Sequence, residues 1–202
     1  MSKAVMISIR PKWCEKIAKG EKTIEVRKTS PKLETPFKCY IYCTKAENRL
    51  VTILKDGDEN YGETYHGKPV FIKTEKGSVC DMYGKRQKVI GEFICDRIYE
   101  LETRSLGGSY YVKGADQPTT NAVARQSCLT LRDMHEYLQS KVGYGWHISN
   151  LKIYDQPREL SEFRHPLSCE SCVYWKNGGT CVDGGLLIER PPQSWCYVEE
   201  QK

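Results

Sequence analysis

The residues best suited to chemistry in this chain are three charged side chains in one short segment, Lys22, Glu25 and Arg27. Apolar and charged residues alternate here, which predicts a strand with Ile24 and Val26 on one face and Glu25 and Arg27 on the other. Lysine and arginine neutralise phosphate, and a carboxylate accepts hydrogen bonds from nucleobase amino groups. The segment therefore predicts a site for an anionic ligand. The alternative is a solvated strand face with a surface ion pair, worth about 0–1 kcal/mol.

A short helix must position this strand, and the preceding residues indicate where it begins and ends. Pro11 suits the first helical position, where its missing N–H is not needed. Trp13 and Ile17 lie one helical turn apart and predict an apolar face. Gly20 then favours a left-handed cap that ends the helix. We therefore expect a strand, a helix, a tight turn and the charged strand in succession.

The combination resembles the ASCH family, a branch of the PUA-like superfamily of small RNA-associated β-barrels. The resemblance rests on the spacing G-x-K-x-x-E-x-R over residues 20–27, after a helix that opens with Arg-Pro. Residues 89–93 and 144–154 are similar to the central and closing strands of that family. The resemblance covers residues 4–160. It implies an α+β fold, a PUA-like β-barrel with flanking helices.

The resemblance also implies one open cleft in the barrel, with the charged strand at its edge. Proteins of the superfamily read a nucleotide or single-stranded RNA there, and aromatic side chains stack an unpaired base for about 1–3 kcal/mol. Core packing is the alternative for the aromatic residues Tyr144 and Trp146. The expected ligand-binding residues are Arg10, Lys22, Glu25, Arg27, Tyr42, Glu92, Tyr144, Trp146 and His147.

An enzyme of nucleoside or RNA chemistry is the rival interpretation of the same cleft. Some ASCH proteins resemble amidohydrolases of acylated cytidine that use a lysine in the G-x-K motif, a threonine three residues later and a glutamate near the second helix. Lys22 matches the lysine, but Glu25 takes the threonine position, and residues 125–128 contain no glutamate. Other members resemble ribonucleases, in which a lysine and a hydroxyl could serve. Lys22 is the expected catalytic residue if the chain is an enzyme, and the departures favour binding.

Charge separates a basic main part of the chain from a slightly acidic end. The 202 residues have a formal net charge of +5. Residues 166–202 hold 3 basic and 5 acidic residues, a balance of −2, so residues 1–165 carry +7. A basic surface fits nucleic acid, although a balance of this size is also common. No apolar run is long enough to span a membrane and no signal peptide is evident, so we expect a cytoplasmic protein without membrane contact.

The predicted organisation is a barrel domain over residues 1–160 and a cysteine-rich tail over residues 166–202. Residues 46–88 break the strand pattern with polar clusters and glycines, and we interpret them as an insertion with a hairpin. A third possible function is that of an interaction adaptor whose tail recruits a protein partner. The remaining expected elements are strands over residues 37–44, 89–101 and 148–154, and a helix over residues 131–141.

Four of the ten cysteines cluster in the tail, at Cys169, Cys172, Cys181 and Cys196. The C-x-x-C pair lets two thiolates meet one metal in a tight turn, and four thiolates suit structural Zn²⁺. The tail is too short to hold itself by core burial, so a metal would supply its folding energy. An iron–sulfur cluster uses the same ligands, and disulfides or free thiols are further alternatives. The scattered cysteines elsewhere are interpreted as small buried hydrophobes.

The tail predicts a measurable metal content. Protein purified without added metal should carry about one zinc per chain by elemental analysis, because four thiolates hold one ion. Replacing Cys172 or Cys181 by serine should release the metal. Colourless protein without zinc would contradict the metal hypothesis, and brown protein that absorbs in the visible would indicate an iron–sulfur cluster.

Overall fold

The computed structural model describes residues 2–45, 87–103, 109–114, 117–166 and 187–201, and in these ranges strands and helices form an α+β structure. The predicted fold class is thus confirmed at this level. The elements, in chain order, are β1 (Lys3–Ile9), α1 (Pro11–Ala18), β2 (Ile24–Arg27), β3 (Phe37–Cys43), β4 (Lys88–Cys95), β5 (Ile98–Thr103), β6 (Tyr110–Val112), α2 (Thr120–Gln126), α3 (Leu131–Leu138), β7 (Gly143–His147), β8 (Ser149–Arg158), a 3-10 turn (Leu160–Glu162) and β9 (Trp195–Glu199).

The described strands form two sheets. The larger sheet has the strand order β8-β4-β3-β1-β9, and the smaller has the order β2-β7-β5-β6. β1 and β3 run parallel, whereas the other named pairs are antiparallel. An inner apolar core joins the larger sheet, α1 and Trp146 of β7, and a second core joins the smaller sheet to α2 and α3. β2 therefore lies between these two cores.

The expected closed barrel does not form among the described residues. The segment predicted as one strand over residues 89–101 is interrupted at Asp96 and Arg97, so that β4 belongs to the larger sheet and β5 to the smaller. Ile148 separates β7 from β8 in the same way. On the other side, β9 occupies the edge of β1 that β3 leaves free. Since a strand edge pairs with one neighbour, β2 has no backbone ladder with β1 and the sheets stay open there.

The last strand of the chain lies in the larger sheet, although the sequence assigns it to a separate tail. β9 pairs with β1 from Lys3–Glu199 to Ile7–Trp195. The outer face of the sheet is covered by a third apolar cluster that includes Phe163, Ile188 and Val198. The described parts of the chain after β8 are therefore integrated with the main core.

Two sequence predictions fall outside the described residues. They are the insertion, apart from its last residues Gln87 and Lys88, and the first three cysteines of the tail, Cys169, Cys172 and Cys181.

The predicted helix ends are largely confirmed. Pro11 lies in the first turn of α1, and Gly20 has a φ of 74°. Thr130 and Asp133 form a capping box at the start of α3. That helix ends at Leu138, earlier than predicted, because Gln139 adopts a left-handed conformation with a φ of 54°. No helix of the described part is long and apolar enough to cross a membrane.

Phe163→Ala should destabilise the protein strongly, because Phe163 is fully buried and its ring meets that of Tyr40 edge-on at 5.0 Å. We expect the free energy of unfolding in urea to fall by about 3–5 kcal/mol. Leu131→Ala also truncates an apolar side chain, but Leu131 is 50% exposed, so its effect should stay below about 0.5 kcal/mol. If both variants lowered the free energy of unfolding equally, Phe163 would contribute no more to stability than an exposed side chain does.

Candidate functional site

A cavity of about 610 Å³ lies in the gap between β1 and β2. Its walls come from the ends of these strands, from α1, from the segment between α2 and α3, from α3, and from the residues before β9. A volume of this size is within the range of about 300–1,000 Å³ that small-molecule sites occupy. The opening between the two sheets therefore provides a site of suitable size for a ligand.

Glu25 holds two cations in the wall of this cavity. The Lys22 Nζ atom lies 3.2 Å from Glu25 Oε2, and the Arg27 Nη2 atom lies 3.0 Å from Glu25 Oε1. The side chains of Lys22, Glu25 and Arg27 are only 2%, 9% and 9% exposed. Buried charges are unfavourable unless they are paired. One carboxylate for two cations leaves this buried charge group with an excess of one positive charge.

Backbone carbonyls complete the contacts of the two cations. Lys22 Nζ donates to the Ser127 carbonyl oxygen at 2.7 Å, and Arg27 Nη2 donates to the Ser8 carbonyl oxygen at 2.6 Å. Arg27 Nη1 lies 3.5 Å from Ser194 Oγ. Arg27 Nε is buried and makes no hydrogen bond to the described residues. Leaving a buried donor unsatisfied is unfavourable by about 1–3 kcal/mol, so this N–H favours an acceptor from a ligand.

Strand pairing explains why a charged face is buried. Glu25 lies opposite Trp146 in the β2–β7 ladder, and opposed residues share a face of the sheet. Glu25 and Arg27 therefore lie on the side of Trp146 and the inner core, whereas Ile24 and Val26 belong to the second core, with α2 and α3. The predicted alternation is confirmed. The alternative of a solvated strand face is wrong, because all of β2 is buried.

Trp13 of α1 supplies an aromatic surface beside the buried charge group. The Lys22 Nζ atom lies 5.1 Å from the centroid of the Trp13 ring, and the Lys12 Nζ atom lies 4.8 Å from it. Arg10 and Lys16 also line the cavity. The cavity thus combines one indole ring with several basic side chains.

Asp133 and Tyr137 also line the cavity. The pKa of Asp133 is lowered, first because the Thr130 hydroxyl donates to its carboxylate and second because the Thr130 backbone N–H does so. Burial raises the pKa of the Tyr137 hydroxyl, and the charge of Arg27 offsets this in part. At neutral pH Asp133 is therefore an anion and Tyr137 a neutral hydroxyl.

The structure brings four of the predicted ligand-binding residues together at the cavity, namely Arg10, Lys22, Glu25 and Arg27. It places the other five elsewhere. Tyr42 belongs to the outer cluster of the larger sheet, because it alternates with Ile41, which faces the inner core. Glu92 Oε2 accepts a hydrogen bond from Tyr154 Oη at 2.6 Å, and Tyr154 also packs against the outer cluster.

The three predicted site residues of β7 do not line the cavity and instead contact other parts of the fold. Trp146 is fully buried and meets Phe37 edge-on at 6.0 Å, so core packing describes it. Tyr144 is partly buried against the inner core. The Nδ1 atom of His147 lies 2.6 Å from Asp96 Oδ1, close to where the chain passes from one sheet to the other. Burial raises the pKa of Asp96. The hydrogen bond and charge of His147 together lower it by more than burial raises it, so the pKa lies below its ordinary value.

Sequence reasoning missed several groups of the site. The carbonyls of Ser8 and Ser127 carry no sequence signal, because every residue has one. Gln193 and Ser194 belong to the predicted tail and reach the cavity only because β9 pairs with β1. Trp13 was predicted to lie on the apolar face of α1, and that prediction did not indicate that it lines the cavity.

Only one of the four predicted metal ligands, Cys196, lies in the described part of the chain. It is on β9 beside the outer cluster, and burial raises the pKa of its thiol to about 11. The described residues contain no group of three or more His, Cys, Asp or Glu side chains that could hold a metal. Zinc binding by the tail therefore stays a prediction.

Comparison with known proteins yields similar structures only. Neither a family model nor a curated protein matches the chain. The chain is similar to the crystal structure of ASCH from Zymomonas mobilis, with 16% sequence identity and a TM-score of 0.45, over 98% of this chain and 88% of that chain. A tyrosine-to-phenylalanine variant of that protein gives 13% identity and a TM-score of 0.48, over 98% and 92%. Both TM-scores lie below 0.5, so neither match supports a function for this chain.

Glu25→Gln should destabilise the protein, because it leaves Lys22 and Arg27 buried without a carboxylate. We expect the free energy of unfolding in urea to fall by about 3–5 kcal/mol. Glu21→Gln is the matched control, since Glu21 pairs with Lys16 at 3.0 Å on the surface, and its removal should leave the urea midpoint nearly unchanged. A Glu25→Gln variant as stable as the wild type would show that the buried charge group does not depend on this carboxylate.

Proposed function

We propose that the chain binds single-stranded RNA or a modified nucleotide in the cavity between β1 and β2. The observation that carries the proposal is the buried charge group of Lys22, Glu25 and Arg27, whose excess positive charge lines the cavity. An anion placed there would balance that charge where water screens it poorly.

Unused donors make phosphate the anion that fits best. Lys22 has three N–H groups; it donates one to the Ser127 carbonyl and forms an ion pair with Glu25, so these contacts engage at most two of them. Arg27 keeps its Nε N–H. Both residues line the cavity, as do Arg10 and Lys16 near its rim. Several cations along one cavity are the pattern that binds a nucleic-acid backbone.

The same cavity has the means to hold a nucleobase. The indole of Trp13 offers a face for stacking, which contributes about 1–3 kcal/mol per base. Each carboxylate oxygen of Glu25 accepts one cation contact and has a second lone pair for a base amino group. A flat ring, an acceptor and several cations together match the chemistry of a nucleotide.

The contacts of Lys22 favour binding over catalysis. Its Nζ atom forms an ion pair with Glu25 and donates to the Ser127 carbonyl, and both are contacts that hold the side chain in place. A backbone carbonyl, and no glutamate, meets Lys22 at the end of α2. The amidohydrolase pattern places a glutamate at this position, so the chain departs from that pattern here.

Lys22→Met and Arg27→Met should each weaken the binding of a fluorescently labelled single-stranded RNA by about tenfold, measured by anisotropy. Each variant removes one cation, so the slope of log affinity against log salt should fall by about 0.7. Either variant leaves Glu25 paired with the other cation, and circular dichroism would verify that it is folded. Lys152→Met removes an exposed lysine of β8 and should change nothing.

Unchanged affinity in both variants would refute this assignment of the site. The enzyme alternative has a separate signature: release of cytidine from acetylated cytidine by the wild type, lost in Lys22→Met, would make the cavity an active site.

A further inference from the structure

Residues 191–194, here called the C-terminal wall, bring side chains from the end of the chain into the cavity. Gln193 and Ser194 both line it. They lie directly before β9, whose pairing with β1 positions them. The site therefore includes residues far in sequence from the segment that carries Lys22 and Arg27.

The C-terminal wall is held firmly. The Ser8 N–H donates to the Ser194 carbonyl oxygen at 2.9 Å, and the Ser8 hydroxyl donates to the Pro192 carbonyl oxygen at 2.6 Å. The next residue, Trp195, donates its Nε1 N–H to Thr29 Oγ1 at 3.0 Å, just after β2. The wall is thus attached to β1, and the residue that follows it contacts the segment after β2. Groups on supported elements of this kind recognise a ligand with defined geometry.

The two side chains of the wall differ in what they contact. Ser194 Oγ lies 3.5 Å from Arg27 Nη1, so this hydroxyl acts through the guanidinium. Gln193 is exposed, and its amide makes no hydrogen bond to any residue of the described ranges. An amide presents one acceptor and two donors and carries no charge. Gln193 is therefore suited to read a base edge, while the cations beside it suit phosphate.

We propose that Gln193 selects adenine as the base of the bound nucleotide. The amide oxygen would accept from the adenine N6 amino group and the amide N–H would donate to N7, the bidentate pairing by which glutamine reads adenine. Ser194 is a positioning residue that acts through Arg27. The inference rests on the function proposed above and adds the base to it.

The test compares labelled oligo(A), oligo(C) and oligo(U) of equal length by fluorescence anisotropy. The wild type should prefer oligo(A) by about fivefold, the low end for such pairs because Gln193 is exposed. Gln193→Ala should abolish this preference and leave the salt slope and the thermal midpoint unchanged. Ser194→Ala should weaken the three oligomers by a common factor. Gln156→Ala removes an exposed glutamine of β8 and should alter no affinity.

The outcomes separate this inference from the proposed function. Equal wild-type affinities, or a preference that survives in Gln193→Ala, would overturn the role of Gln193. Weaker binding in Lys22→Met would still support the cavity as the site. A wild-type protein that binds none of the oligomers at low salt would refute both the role of Gln193 and the binding of single-stranded RNA in the cavity.

Discussion

The Glu25 carboxylate accepts Lys22 on one oxygen and Arg27 on the other, and the arrangement of the site depends on this buried charge group. A single carboxylate cannot satisfy two buried cations, and each cation therefore takes a backbone carbonyl as well. These carbonyls belong to Ser127, just after α2, and to Ser8 of β1. The group thereby connects β2 to two neighbours with which it shares no backbone ladder.

The cavity exists because β1 has no free edge with which β2 could pair. β1 pairs with β3 on one side and with β9 on the other, so no edge is left for β2. An exposed edge would invite pairing with another chain, and β9 covers it. The gap that remains between the sheets is bridged by the Arg27 side chain and closed on one side by the C-terminal wall. The end of the chain thus stabilises the larger sheet and shapes the site.

Features that depend on residues close together in sequence were predictable. The alternation of β2, the proline and glycine at the ends of α1, and the capping box of Thr130 and Asp133 follow from local steric and hydrogen-bonding preferences. The grouping of Lys22, Glu25 and Arg27 also follows, since alternate residues of a strand share a face and a turn places the lysine beside them. Their burial does not follow, because a strand with one solvated face has the same pattern.

Local sequence patterns therefore indicated many of the helices and strands and which charged side chains lie side by side, but they did not indicate β6 or β9. Three features depend on the tertiary fold: Trp146 is buried in the core, the predicted strand over residues 89–101 is divided between two sheets, and Gln193 reaches the cavity. These outcomes depend on strand pairing between residues far apart in sequence, and an apolar or alternating segment does not indicate which strand it will pair with. The backbone carbonyls at the site were not predictable either, because every residue has the same carbonyl group.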